Sequence, residues 1–339
     1  MYILLALLML GVLIIVHEFG HFLAARLCGI EVVEFSMGMG PLLLQKKDKR
    51  GTQFSLRLLP IGGYCQFYDE EEGKREERAF SRQKIWKRAV TIASGPLMNF
   101  AVAILTIVLY LSALGLKTPI PVIEEVEGPA LEAGLMAGDE VLAVNGEAVS
   151  DTGAVSQAIT QSAGEAVTMT VRRGGEELTL SITPFYDEEL GRYRVGMTFA
   201  QARMRVPLTQ SVPFSVSYNA ESLTMIVDAL RSIITRGEGT ENVTGPVGTV
   251  VVISDVTQQG GVDVYLQLLA MVSVNLGVMN LLPIPGLDGS RLLFLLVEAI
   301  RRKPVRKELE GAIHAAGFIL LMGLMLVLTY RDIVQIFMK

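Results

Sequence analysis

Two histidines and a glutamate stand in His17-Glu18-Phe19-Gly20-His21, inside an apolar run that begins at Tyr2. On a helix, residues four apart stack on one face, so His17 and His21 can ligate a single metal ion. Glu18 lies beside them, where a carboxylate can take a proton from a water activated at that metal. Imidazoles and a carboxylate are costly in hydrocarbon unless they have partners or work to do there. The pattern is that of a metalloprotease, carried on a membrane helix. A catalytic zinc takes three protein ligands and keeps one position open. No other histidine is well placed by pattern. The candidate third ligand is Asp288, at a break in an apolar region within Pro283-Ile-Pro285-Gly-Leu-Asp288-Gly289. The competing role for Asp288 is a helix N-cap, with Gly286 and Gly289 shaping the turn. An amide donor such as Asn275 or Asn280 could stabilise an oxyanion or clamp a substrate. Helix-to-helix hydrogen bonding is the competing role for both.

These groups need elements to hold them, and the composition says which kind. The chain has 339 residues, 50% of them hydrophobic, with a mean hydropathy of +0.43. A soluble chain of this length would be more polar, so membrane spans are expected. The net charge of −5 gives no reason to propose a nucleic acid as partner. Two cysteines, Cys28 and Cys65, have neither zinc-knuckle spacing nor the number for a disulfide framework. Both read as packing residues. The N-terminus lacks a basic leader and a small-residue cleavage site, so it reads as a retained helix rather than a signal peptide.

Four spans follow from apolar runs near residues 2–25, 89–116, 265–282 and 312–328. In the first, a rise of 1.5 Å per residue puts His17 about 22 Å from the start, inside the far half of a ~30 Å core. Between the first two spans, 26–88 is polar. Residues 51–64 alternate partly and read as a strand or hairpin ending in a turn. Residues 69–77 read as a charged loop, and 80–88 as an amphipathic stretch with Trp86 as an interfacial anchor. From 118 to 200 the sequence turns acidic and Gly-rich with short β-type runs. Residues 223–234 look helical and 237–248 look like loop. The loop after the first span carries Lys46, Lys47, Lys49 and Arg50. The one before the fourth carries Arg301, Arg302, Lys303, Arg306 and Lys307. The positive-inside rule puts both in the cytoplasm. Both termini and the acidic segment then face outward, and His17 falls in the cytoplasmic half of the bilayer. His314, among Gly311, Ala315, Ala316 and Gly317, reads as close helix packing rather than metal binding.

Three segments together resemble the site-2 protease family of intramembrane zinc metalloproteases, in its bacterial branch with one PDZ domain. They are His17–His21, Gly95-Pro96-Leu97-Met98-Asn99, and the run from Asn275 through Asn280 and Pro283 to Gly289. Their order and spacing cover nearly the whole chain. The resemblance implies one zinc per chain held by His17, His21 and Asp288, with Glu18 as general base. It implies that residues near Asn280 hold the substrate backbone. It also implies that 51–68 is a membrane-associated β-element that pairs with an unwound substrate strand. Gly128-Pro129-Ala130, Ala133-Gly134-Leu135, Gly138-Asp139 and Val144-Asn145-Gly146 resemble a PDZ domain. The implied fold is an α-helical polytopic membrane protein of four spans. A β-rich PDZ domain at 117–202 and an amphipathic connection at 203–262 divide the protease core, 1–116 and 263–339. The implied setting is a bacterial plasma membrane. The implied substrates are single-span proteins already trimmed outside by a site-1 protease, anti-sigma factors or remnant signal peptides. A PDZ-presenting scaffold and a metal transporter are the competing functions. A scaffold has no reason to keep all four polar groups in lipid, and a transporter usually shows inverted repeats.

Overall fold

The computed structural model describes residues 1–68, 76–188, 190–240 and 243–338. Along the chain the elements are α1 (Tyr2–Cys28), β1 (Val32–Lys47), β2 (Gln53–Phe67), α2 (Ile85–Leu109), β3 (Leu116–Val126), α3 (Gly128–Glu132), β4 (Glu140–Val144), β5 (Glu147–Ala148), α4 (Thr152–Gln161), β6 (Val167–Arg173), β7 (Glu176–Ile182), β8 (Phe185–Asp187), β9 (Arg192–Arg194), β10 (Met197–Met204), α5 (Leu208–Arg236), α6 (Pro246–Leu281), α7 (Asp288–Arg301) and α8 (Lys307–Met338). They form two compact units, one of Met1–Tyr110 with Leu208–Lys339 and one of Leu111–Pro207.

In the first unit, α1, α2, α6 and α8 are long and apolar enough to cross a membrane. Helix α1 ends where Gly29 takes φ 77°, and the Ile30 N–H then reaches back to the Ala25 carbonyl at 2.8 Å. That is a left-handed glycine stop, open to a residue without Cβ. Met9, Leu13 and Ile253 are buried where α1 packs on α6. The carboxylate of Asp332, on α8, accepts the N–H groups of Gly245 and Gly248 at 3.1 and 2.8 Å. It caps the start of α6, where donors have no partner in their own helix.

Helix α6 differs from the expected third span near 265. It begins at Pro246 and contains one non-helical residue, Gly261, at φ 63°. Gly260-Gly261, with Asp255 and Asp263 on either side, hides a long helix from a reading based on apolar runs. Likewise α5 covers 208–236, more than the 223–234 that looked helical.

Strands β1 and β2 pair antiparallel and bend, so that residues 34–37 of β1 register with both 53–56 and 63–66 of β2. The turn lies at 48–52, where Asp48 Oδ1 accepts from the Arg50 and Thr52 N–H groups at 2.9 and 3.0 Å. Arg26, at the end of α1, pairs with Asp48 and fixes this turn to the helix. The expected turn at 61–64 is instead a bend within β2, and β1 is a strand where only polar chain was expected. Phe22 of α1 packs with Phe35 and Phe54 of the hairpin. Arg57 joins Glu34 and Tyr64 at 2.9 and 2.8 Å, stiffening the segment that runs toward the histidines. Most of the charged segment 69–77 lies outside the described residues.

The second unit is a β-rich domain. Its sheet has the order β10-β3-β4-β6-β7, with β5 beside β4 and a separate β8-β9 hairpin. Ile123, Leu135, Val141, Val155, Val167 and Met169 are buried in its core. Asp151 caps α4 by accepting the Ala154 N–H at 2.9 Å. Asp139 is fully buried and accepts from Arg173 Nε and Nη2, both at 2.7 Å, and from the Met136 N–H at 2.9 Å. The Arg173 guanidinium holds the Asp139 carboxyl below its usual range.

Candidate metal centre

Helix α1 brings His17 and His21 to one face, four residues apart. Helix α2 crosses that face closely enough that a Cβ on Gly20 would lie 2.3 Å from the Ser94 carbonyl oxygen. The third contribution comes from the first residue of α7. Helix α6 ends at Leu281, and the loop through Pro283, Pro285 and Gly286 (φ 98°) leads to Asp288. Gly289 allows that return, because a Cβ there would lie 2.2 Å from the Leu281 carbonyl. Asp288 Oδ2 then stands 3.0 Å from His17 Nε2 and 3.1 Å from His21 Nε2, and the two Nε2 atoms are 3.2 Å apart.

Those separations are the test of whether a metal fits. A tetrahedral zinc with bonds of ~2.05 Å has ligand-to-ligand edges of about 3.3 Å. Asp288 Oδ2 is buried and has no hydrogen-bond partner despite its two neighbours. His21 Nδ1 donates to the Thr91 carbonyl at 2.9 Å, which leaves its Nε2 lone pair free to ligate. Two imidazole nitrogens and one carboxylate oxygen are also zinc's usual donor types. Among the described residues these three form the one group of three or more metal-ligating side chains.

The three donors open into a cavity of about 260 Å³ that is also lined by Glu18, Tyr64, Cys65, Phe67, Asn280 and Arg291. Glu18 is thus beside the histidines, facing the Cys65 backbone amide. Asn280 is on the wall, its Nδ2 donating to the Leu276 carbonyl at 3.0 Å. Asn275 is exposed on α6 and does not line the cavity. Burial pushes the Cys65 thiol up. A second cavity of about 710 Å³ shares Tyr64, Cys65, Phe67, Ile92 and Arg291 with the first. His314 takes no part in the donor cluster; its Nδ1 accepts the Gly286 N–H at 3.1 Å. The α2 residues against the histidines, Thr91 and Gly95, were not singled out for this role by sequence reasoning. A Gly one helical turn from a buried Thr is a weak signal until the opposing helix is known.

The family model for peptidase family M50 matches residues 5–324 of the chain. The chain belongs to that family. Similar proteins include "Putative zinc metalloprotease CPE1693" of Clostridium perfringens, 33% identical over 98% of this chain and 99% of its own length. "Regulator of sigma-W protease RasP" of Bacillus subtilis is 28% identical, covering 97% of each chain. Among solved structures, the PDZ domain of the SdrC-like protein Lmo2051 from Listeria monocytogenes matches 25% of this chain and 86% of its own, at 22% identity and a TM-score of 0.21. This M50 protein is a site-2 protease family zinc metalloendopeptidase, a membrane protein acting on membrane proteins. Family membership decides for peptide hydrolysis over the scaffold and transporter functions.

Proposed function

We propose that this protein is an intramembrane endopeptidase whose zinc is held by His17, His21 and Asp288 and whose general base is Glu18. The observation that carries this reading is the convergence of two Nε2 atoms and Asp288 Oδ2 within 3.2 Å of one another, with both histidines on α1, a helix long and apolar enough to cross a membrane. When bound, zinc polarises the scissile carbonyl and lowers the pKa of a coordinated water toward about 7. Glu18 takes the proton of the attacking water and delivers it to the leaving nitrogen. Asn280, on the cavity wall, holds the substrate backbone beside the donors.

A helical substrate shields its carbonyls with its own hydrogen bonds and must unwind before it is cut. Tyr64, Cys65 and Phe67 of β2 line the cavity, which suits β-strand addition by the unwound segment. The 710 Å³ cavity continuing from the site is the space through which substrate and water arrive.

We read the unit Leu111–Pro207 as an extracytoplasmic PDZ domain. The support is its turn motifs and a small groove of about 80 Å³ lined by Ile159 and Thr160 of α4 and by Met197 and Phe199 of edge strand β10. It acts as a size filter or as a sensor of an earlier outside cut. The Lys and Arg residues flanking α1 and α8 orient the chain with its active site in the cytoplasmic half of a bacterial plasma membrane. The substrates are single-span proteins. The Bacillus subtilis relative is named a regulator of sigma-W protease, which favours an anti-sigma factor over a remnant signal peptide.

The test is co-reconstitution in vesicles with a tagged single-span substrate, long or trimmed on its outer side, and mass mapping of the products. Cutting inside the span, faster for the trimmed form, is expected. Cutting confined to loops outside the span would contradict the reading.

A further inference from the structure

Helix α2 presents Thr91, Gly95 and Asn99 to the histidine pair at four-residue intervals, and all three are buried. Gly95 clears space for the imidazoles, since its Cβ would stand 2.4 Å from His21 and 2.9 Å from His17. Thr91, one turn before it, gives His21 Nδ1–H an acceptor at 2.9 Å. Asn99, one turn after it, faces His17, with Nδ2 lying 3.4 Å from Nδ1. Asn99 is 0% exposed, and its Oδ1 is buried with no hydrogen-bond partner.

These observations fit one arrangement. A His17 that offers the Nε2 lone pair to a metal carries its hydrogen on Nδ1. An amide NH₂ opposite that hydrogen sets donor against donor, while the amide oxygen is left unpaired. Half a turn about the last side-chain bond exchanges the two atoms, because amide oxygen and nitrogen occupy equivalent positions. Oδ1 then accepts from His17 Nδ1–H, and donor no longer faces donor. The same residue is held through its backbone, where Ser273 of α6 donates to the Asn99 carbonyl at 2.7 Å.

We infer that Asn99 is a positioning residue for zinc: its side-chain oxygen fixes the tautomer and ring orientation of His17, as the Thr91 carbonyl does for His21. One helix thereby supplies the acceptors behind both histidines. The inference rests on His17 being a zinc ligand, as proposed above.

The test is a zinc titration of the metal-stripped full chain in detergent against a chromophoric chelator. It compares the wild type with Asn99→Leu, Asn99→Asp and His17→Ala. Asn99→Leu keeps the volume and loses the acceptor, and zinc affinity should fall roughly 10–100-fold. Asn99→Asp keeps an acceptor and should stay within about threefold of the wild type. Wild-type affinity in Asn99→Leu, with binding lost in His17→Ala, would overturn the role of Asn99 and leave the zinc site standing. Asn99→Asp as weak as Asn99→Leu would also overturn it, by pointing to packing alone. Full affinity in His17→Ala would instead refute the zinc site itself.

Discussion

Gly95 of α2 lies against His21 of α1 so closely that a Cβ at position 95 would stand 2.4 Å from the His21 Cε1 and Nε2 atoms. The atom it would displace is the one aimed at Asp288 Oδ2, 3.1 Å away. The absence of a side chain at position 95 therefore shapes the donor cluster directly, although Gly95 has no ligating atom.

Gly95→Ala should uncouple the site from the fold. Alanine is the better helix former by roughly 0.5–1 kcal/mol, so α2 should not lose intrinsic stability. The imidazoles must move, and zinc affinity should fall at least as far as on loss of an outer-shell partner, roughly 10–100-fold. Zinc content and thermal unfolding of the same sample measure the two effects. Full zinc content in Gly95→Ala would show that the histidines do not depend on this contact.

The loop before Asp288 should be sensitive to α8. A Cβ on Gly317 would lie 2.3 Å from Pro285 Cβ and 2.4 Å from its carbonyl oxygen, whereas one on Gly323 meets nothing within 4 Å. Gly317→Ala should lower cleavage at least tenfold by shifting Asp288, since misplacement by about 1 Å can cost ~100-fold. Gly323→Ala should leave it near the wild-type rate. Equal rates for the two variants would mean that α8 does not set the loop.

Asp139 gives the β-rich unit a pH dependence of definite sign. The Arg173 guanidinium lowers its carboxyl below the ordinary value, so the ionised form is stabilised by folding. This contribution is complete above the ordinary carboxylate value, about pH 4, and is lost as pH falls through the depressed folded value. Asp139→Asn should cost about 2 kcal/mol at pH 7. The difference from wild type should shrink below pH 4. Amide hydrogen exchange in β6 of the intact chain measures it, and a pH-independent difference would contradict the ion pair.

Some of this was legible from residues alone. His17 and His21 could be paired because helical spacing is local, and their burial follows from the apolar run around them. Asp288 could be named a candidate but not joined to them, since α6, a loop and α7 must fold before it arrives. Asn275 and Asn280 are both amide candidates, of which the resemblance points to Asn280; Asn280 reaches the cavity wall and Asn275 is exposed on the same helix. Helix phase around Gly277 and Val278 decides between them. Strand β1 was missed because Gly38-Met39-Gly40-Pro41 interrupts its alternation where the strand bends. The outer partners of the histidines, Thr91 and Asn99, depend on how α2 crosses α1, which no local pattern encodes.

The most direct measurement is zinc content and cleavage of a tagged single-span substrate by purified wild type and Glu18→Gln, each with and without a chelator. One zinc per chain in both proteins is expected. Cleavage should appear in untreated wild type and in no other sample. Wild-type cleavage by Glu18→Gln would contradict the assignment of Glu18 as the base.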